Sequence, residues 1–267
     1  MSRLLVTTRS LDDRRRSLAW WAVGLFLYTA MIIAVWPTLE DNADFQQLAD
    51  DYPEGLKAMF GGADAFALLT TPAGFLNTYV FSMIFPLFLV GLGVAMGSAL
   101  LAGDEESGLL DLLLSTPVTR ARAVGEKALA VTLAILGMGV VLVVVVYGLG
   151  LAVGLDVGFD LLLAAALGSL LFGLLHGLVA LLAGAWSGSK GFAAGAAWGV
   201  ALGGYLLNVL ANLTDSLDPL KWGSPLYYAT ANDPILNGVP AEYLLLAAAC
   251  ALAFVATLVV FQRHDLS

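Results

Sequence analysis

"FLNTYVFSMIFPLFLVGLGVAMGSALLA" (residues 75–102) runs directly into "GDEESGLLDLLLSTPVTRARAVGEK" (residues 103–127), and a second apolar run, Ala128–Val153, follows at once. Neither apolar run contains a charged residue, and each exceeds the ~18 residues needed to cross the hydrocarbon core of a bilayer. Outward from this pair, four more such runs occur: Leu18–Trp36, Leu161–Trp186, Gly191–Leu213 and Tyr243–Phe261. None alternates polar and apolar residues with the period of two of a lipid-facing barrel strand, so helices must satisfy the backbone. The Val-rich string at 141–146 has strand-like composition, but the length of its run decides for helix. The expected fold is an all-α polytopic membrane protein with six transmembrane helices.

Composition agrees: 60% of the 267 residues are hydrophobic, 12% are charged, and mean hydropathy is +0.87. Soluble domains average about 25% charged. The longest piece between runs, residues 37–74, is too short for an ordinary soluble enzyme domain. The lone cysteine, Cys250, lies within the last run and excludes an intrachain disulfide.

Charge distribution sets the expected orientation. No small-residue cleavage signature follows the first run, so residues 1–17, with Arg3, Arg9, Arg14, Arg15 and Arg16, read as a cytoplasmic lead-in to a domain over 18–267. Six crossings then put those five with Arg120, Arg122, Lys127, Lys190 and Arg263 inside, and only Lys57 and Lys221 outside. Ten against two is a strong positive-inside bias, which predicts a multi-pass protein with both termini cytoplasmic. Seven acidic residues between Glu40 and Asp64 fall in the first outer loop, residues 37–74. Its spacing of Phe45, Leu48, Leu56, Met59 and Phe60 fits either a cap of short amphipathic helices or a plain solvated loop.

Trp20, Trp21 and Trp36 sit near the ends of the first run, where indole rings anchor in the headgroup region. Pro86 is expected to kink or unwind the second helix. Gly191, Gly195, Gly199 and Gly203 recur every four residues, and Gly93-xxx-Gly97 and Gly173-xxx-Gly177 are shorter versions. Such stripes predict close helix contacts, within one chain or between two copies.

The charged stretch 103–127 is then a cytoplasmic loop. Asp104, Glu105 and Glu106 read as the acidic first turn of a short leucine-rich helix that Pro117 stops, after which Thr119 caps the third span. A helix lying on the bilayer usually carries Lys or Arg on its polar face, and residues 104–118 have none. Docking into a protein groove is the better physical reading.

Glu106-x-Gly108-x-x-Asp111-Leu112-Leu113-Leu114-x-x-Pro117-Val118-x-Arg120, followed by Lys127, resembles the loop signature of ABC-2-type transporter permeases. Leu109 stands where that family often has Thr, and Asp111 where it often has Glu. The six spans and overall length extend the resemblance to the whole chain. It implies the membrane-spanning subunit of an ATP-driven transporter, with export as the expected direction; an apolar interior with few charges suits hydrophobic or amphiphilic cargo such as drugs, antibiotics or lipids, with a polymer or an ion as the alternatives. It implies that residues 104–117 form a coupling helix seated in a separate ATPase subunit, with Glu105, Glu106, Gly108, Asp111, Leu112, Leu113, Pro117 and Arg120 as coupling residues. The N-terminal segment would form an amphipathic elbow, and two permease copies, a homodimer, would join two ATPase copies. No cofactor is expected in this chain, which lacks a G-x-x-x-x-G-K-[ST] loop; ATP and Mg2+ belong to the partner.

An intramembrane enzyme is disfavoured because His176 and His264 lie too far apart to share a metal, and no carboxylate falls mid-span. No catalytic residue, metal site or nucleic-acid partner is expected. An ion-coupled carrier or channel is the alternative, although such proteins place carboxylates near the bilayer midplane and here only Glu126 and Glu242 approach a span. His176, Asn208 and Asn212 are candidates for a substrate pathway, or for hydrogen bonds between helices.

Overall fold

The structure, a computed structural model, describes residues 5–40, 71–115, 118–213 and 215–263. Among them there is no strand. Six helices long and apolar enough to cross a membrane span Arg15–Leu39, Pro72–Glu106, Arg120–Ala152, Phe159–Ser187, Lys190–Ala211 and Glu242–Arg263. A short elbow helix, Leu5–Asp13, precedes span 1, with only Arg14 between them. The acidic stretch of the first long loop, and the question of a cap there, lies outside the described residues.

Span 4 is the centre of the bundle and touches spans 2, 3, 5 and 6. Spans 2 and 4 each bury 67% of their most apolar window, against 17% for span 1 and 22% for span 5, so these two are the interior helices. Leu27, Met31, Val140, Val144, Leu206 and Leu252 are exposed on the outer helices, as lipid-facing side chains must be.

The two short glycine motifs make the central contact. A Cβ added at Gly93 would stand 2.5 Å from the Gly173 carbonyl oxygen and 3.1 Å from the Gly177 nitrogen, and one at Gly173 would stand 2.6 Å from Leu89 Cβ. Only hydrogen fits between these backbones. Gly177 is closed from another side by span 3, where Val131 Cγ1 would lie 2.7 Å from an added Cβ. In lipid, such close approach supplies the dispersion contacts that hydrophobic burial supplies in water.

The longer stripe behaves differently. An added Cβ at Gly195, Gly199 or Gly203 meets nothing within 4 Å, and at Gly191 only the Ser189 hydroxyl at 4.0 Å. Span 5 turns Ala193, Ala197, Ala201 and Gly204 inward instead, and these are buried. Of the two outcomes expected for Gly191, Gly195, Gly199 and Gly203, tight packing inside one chain is therefore not what this stripe does.

Span 2 is interrupted where Pro86 requires it. Its first part runs Pro72–Leu76 and continues as a π turn, Asn77–Phe81; the regular helix resumes at Ile84–Ser98. Pro86 has no amide for the Ser82 carbonyl and its ring crowds that turn, so the break falls at Met83, which leaves helical geometry at φ −146° and ψ −51°. A second π turn, Ala99–Gly103, widens the helix near its other end.

Two further sequence expectations change. Trp36 is not a headgroup anchor: it is 1% exposed and packs on Phe75, ring centroids 5.2 Å apart, because the start of span 2 covers it. Trp21 packs edge-on against Phe88, while Trp20 is exposed. The stretch 104–117 is not one helix with an acidic first turn. Asp104–Glu106 instead forms the last turn of span 2, Ser107 and Gly108 make a bend, and a separate helix occupies Leu109–Leu114. Gly108 takes φ +70°, a conformation that a side chain opposes, and this divides the segment.

Outside the spans, the turn Asp215–Gly223 places the Lys221 ammonium 2.8 Å from Asp218 Oδ1, a hydrogen bond that holds the amine above the usual lysine range. Gly177→Leu is expected to destabilise the folded protomer by about 1–3 kcal/mol or more, since overpacking a closed contact forces the helices apart. Gly199→Ala is expected to leave it unchanged. Thermal unfolding in detergent, followed by fluorescence-detected size exclusion, distinguishes the two.

Candidate functional site

The loop between spans 2 and 3 sits at the end of the bundle where the elbow helix and the end of span 6 also lie. Span 3 begins at Thr119, whose hydroxyl accepts the Arg122 amide at 3.3 Å, the cap expected from the sequence. At ~1.5 Å per residue its 33 residues reach about 50 Å, well beyond a ~30 Å hydrocarbon core. Its four charged residues, Arg120, Arg122, Glu126 and Lys127, all fall in the first turns, where the helix can stand clear of the lipid tails.

Three of these charges have distant partners, and Arg122 pairs with Glu126 one turn on. Glu126 Oε2 accepts the amides of Val6 at 2.7 Å and Thr7 at 3.1 Å, while the Thr7 hydroxyl donates to the Glu126 carbonyl at 3.0 Å. Those amides are orphan donors at the start of the elbow helix, and the Glu126 carboxylate caps them from span 3. Arg122 Nε donates to the other carboxylate oxygen at 2.7 Å. The elbow helix consequently rests on span 3 with Val6, Thr7 and Ser10 buried. Lys127, 1% exposed, donates to the Leu100 carbonyl in the second π turn and to Asp104 Oδ2. A buried ammonium of this kind is tolerated only because it is both paired and hydrogen-bonded.

Glu106 reaches across to span 5. Its Oε1 accepts the Lys190 amide at 2.8 Å, at the positive end of that helix. Spans 4 and 5 are joined by two residues, Gly188 in the left-handed region at φ +62° and Ser189, whose hydroxyl accepts the Phe192 amide at 3.4 Å. The Glu105 carboxylate lies beside Gly188, 3.0 Å from where a Cβ would be. Arg120 Nη1 donates to the Phe261 carbonyl at 3.3 Å, and its guanidinium lies 5.8 Å from the centre of that ring. Cation and helix C-terminus thus tie span 3 to span 6.

The coupling candidates therefore separate by what they face. Glu105, Glu106 and Arg120 brace neighbouring elements, and Gly108 is the bend. In the helix Leu109–Leu114, Leu110 is fully buried and Leu113 is packed against the core, whereas Leu109 and Leu112 are 49% and 67% exposed. Asp111 belongs to this helix, but its side chain and Pro117 lie outside the described residues. One edge of leucines fastens the helix, and the other is offered outward.

His176, Asn208 and Asn212 are not brought together. His176 is fully enclosed in span 4; its Nδ1 lies 2.8 Å from the Phe172 carbonyl of its own helix, and its ring meets Phe172 edge-on at 4.5 Å. Asn212 caps span 5 at the opposite end and donates to the Asn208 carbonyl at 2.9 Å. No hydrogen bond among the described residues links His176 to either asparagine, or to another helix. Nor, among those residues, do three His, Cys, Asp or Glu side chains gather to hold a metal ion.

Compared with known families, residues 5–266 match the model of a family described as ABC-2 family transporter protein. The chain belongs to this family. No curated protein matches it. As an ABC-2 permease it is a transport subunit of the membrane, and the elbow helix and the loop helix both fall within the matched region.

Glu126 and Lys127, which the sequence placed at the edge of a span and at the end of the loop signature, fasten the elbow helix and the end of span 2, bonds the sequence did not foretell. Their adjacency at the edge of an apolar run was a signal, but their partners are 120 and 23 residues away, beyond any local motif. Glu126→Ala in this permease is expected to release the elbow helix. Loss of an N-cap costs about 1–2 kcal/mol, or about 5- to 30-fold in opening. Amide hydrogen exchange should quicken by that factor at Val6 and Thr7 while span 4 stays protected.

Proposed function

We propose that this ABC-2 permease is an exporter of hydrophobic or amphiphilic compounds, driven by a separate ATPase subunit that grips the helix Leu109–Leu114. The observation that carries this reading is the sided leucine pattern: Leu110 and Leu113 hold the helix to the bundle, and Leu109 and Leu112 remain exposed beyond the end of span 2. Exposed leucines on a helix joined to an interior span through the two-residue bend at Ser107 and Gly108 form a handle of the right chemistry for a protein groove. The positive-inside bias of ten basic residues against two supports a cytoplasmic position for this helix and for both termini.

ATP and Mg2+ act in the partner. Closure of the ATPase pair would move the gripped helix, and the motion would pass through the Gly108 bend to span 2 and through its glycine contact to span 4. Transport follows if these contacts differ in stability between inward-open and outward-open packings. The unfilled stripe Gly191, Gly195, Gly199 and Gly203 supports a homodimer in which a second copy covers span 5. An apolar interior with few charges favours hydrophobic or amphiphilic cargo.

Leu112→Asp is expected to reduce permease-dependent ATP hydrolysis by the copurified ATPase at least about tenfold, a loss of about 1.4 kcal/mol or more in docking. Expression and monodispersity should match the parent. Hydrolysis at the parental rate would remove the handle reading. Gly195→Leu with Gly199→Leu is expected to convert dimers to monomers by native mass spectrometry.

A further inference from the structure

An open basin of about 360 Å³ lies at the elbow end of the bundle, between the elbow turn, the end of span 2 and the start of span 5. Arg14 and Lys190 line it from opposite elements, with Asp104, Glu106 and Ser107 on its remaining walls. The two carboxylates are already engaged: Asp104 with the buried Lys127, and Glu106 with the Lys190 amide. The two cations are not. Among the described residues neither the Arg14 guanidinium nor the Lys190 ammonium forms a hydrogen bond or ion pair, and the Lys190 chain lies along Gly103, its Cδ 3.4 Å from where a Cβ would be.

Asp104 is met by the buried Lys127, so the free donors that face the basin are those of Arg14 and Lys190. Two cations that converge from separate elements suit the oxygens of a phosphodiester. Position supplies the source: Arg14 directly precedes span 1, Lys190 opens span 5, and Asp104 lies in the last turn of span 2. These are span ends, the depth at which phospholipid headgroups lie.

We infer that this basin binds the phosphate of a membrane phospholipid, with Arg14 and Lys190 as its two donors; the Ser107 hydroxyl beside them is already spent on the Gly103 and Asp104 carbonyls. Charge-assisted hydrogen bonds from the guanidinium and the ammonium hold the phosphate oxygens, and the acyl chains leave between spans 1 and 5. The bound lipid ties the elbow turn to span 5, two elements that the hydrogen bonds described above do not join directly. The inference does not depend on the ATPase reading, because no partner enters it.

Native mass spectrometry of the full, delipidated chain tests it. Phosphatidylglycerol is expected to bind at one saturable site, about tenfold or more tighter than diacylglycerol of the same acyl chains, which lacks the phosphate. Arg14→Gln with Lys190→Gln is expected to abolish that preference, whereas Arg15→Gln with Arg16→Gln keeps it. Equal retention of diacylglycerol, or an unchanged preference in the Arg14/Lys190 double variant, overturns the proposal. Displacement of the lipid by glycerol 3-phosphate at comparable concentration would assign the basin to a soluble phosphate and overturn the lipid source. Should the double variant aggregate, Arg14→Lys and Lys190→Arg, which keep both charges, must bind phosphatidylglycerol as the parent does.

Discussion

Two helix backbones touching through glycine are the constraint on which the molecule depends. Spans 2 and 4 meet at Gly93, Gly97, Gly173 and Gly177 without room for a methyl group between them. Lipid tails are as apolar as leucine, so burying leucine gains little here; close dispersion contact and satisfied backbone groups must hold the bundle. Every other span is arranged around this pair. Span 3 closes on Gly177 through Val131, and span 6 lies over span 4 with the Tyr243 hydroxyl donating to the Ala164 carbonyl at 2.9 Å.

At one end of this rigid pair, charges replace glycine as the fastening. Acidic residues at a helix C-terminus are unfavourable by themselves. Asp104 and Glu106 stand there nonetheless, because Lys127 neutralises one and the start of span 5 engages the other. Glu126 in turn holds the elbow helix by its first amides. The end of span 2 is therefore joined to spans 3 and 5, and span 3 to the elbow helix. Lys127 is the least replaceable member, since its removal would strand Asp104 beside the apolar core.

Much of the fold is legible in the chain because bilayer thickness forces long uncharged runs, and length alone then separates helix from strand. The Thr119 cap and the break caused by Pro86 were readable for the same local reason: each acts within one turn. Glycine spacing identified candidate contacts but could not tell inward from outward faces, so the longest stripe proved to be open and the two shorter ones closed. The acidic turn was assigned to the wrong helix. A dipole argument sees only neighbours, whereas the partner of Glu106 is 84 residues away and the bend depends on the conformation of Gly108. Trp36 misled likewise, because its place near a span end did not reveal that Phe75 would cover it.

Among the leucines of the loop, the division between held and offered faces could not be read from their spacing, since five of them crowd into six residues, 109–114. The structure resolves that crowding into an inner edge and an outer one. A thiol crosslink from position 112 to the copurified ATPase subunit, made in a Cys250→Ala background, tests the account most directly. Leu112→Cys is predicted to form the crosslink, with Leu133→Cys on the lipid face of span 3 forming none. An intact complex in which position 112 stays unlinked, and freely open to a small thiol reagent, would contradict it.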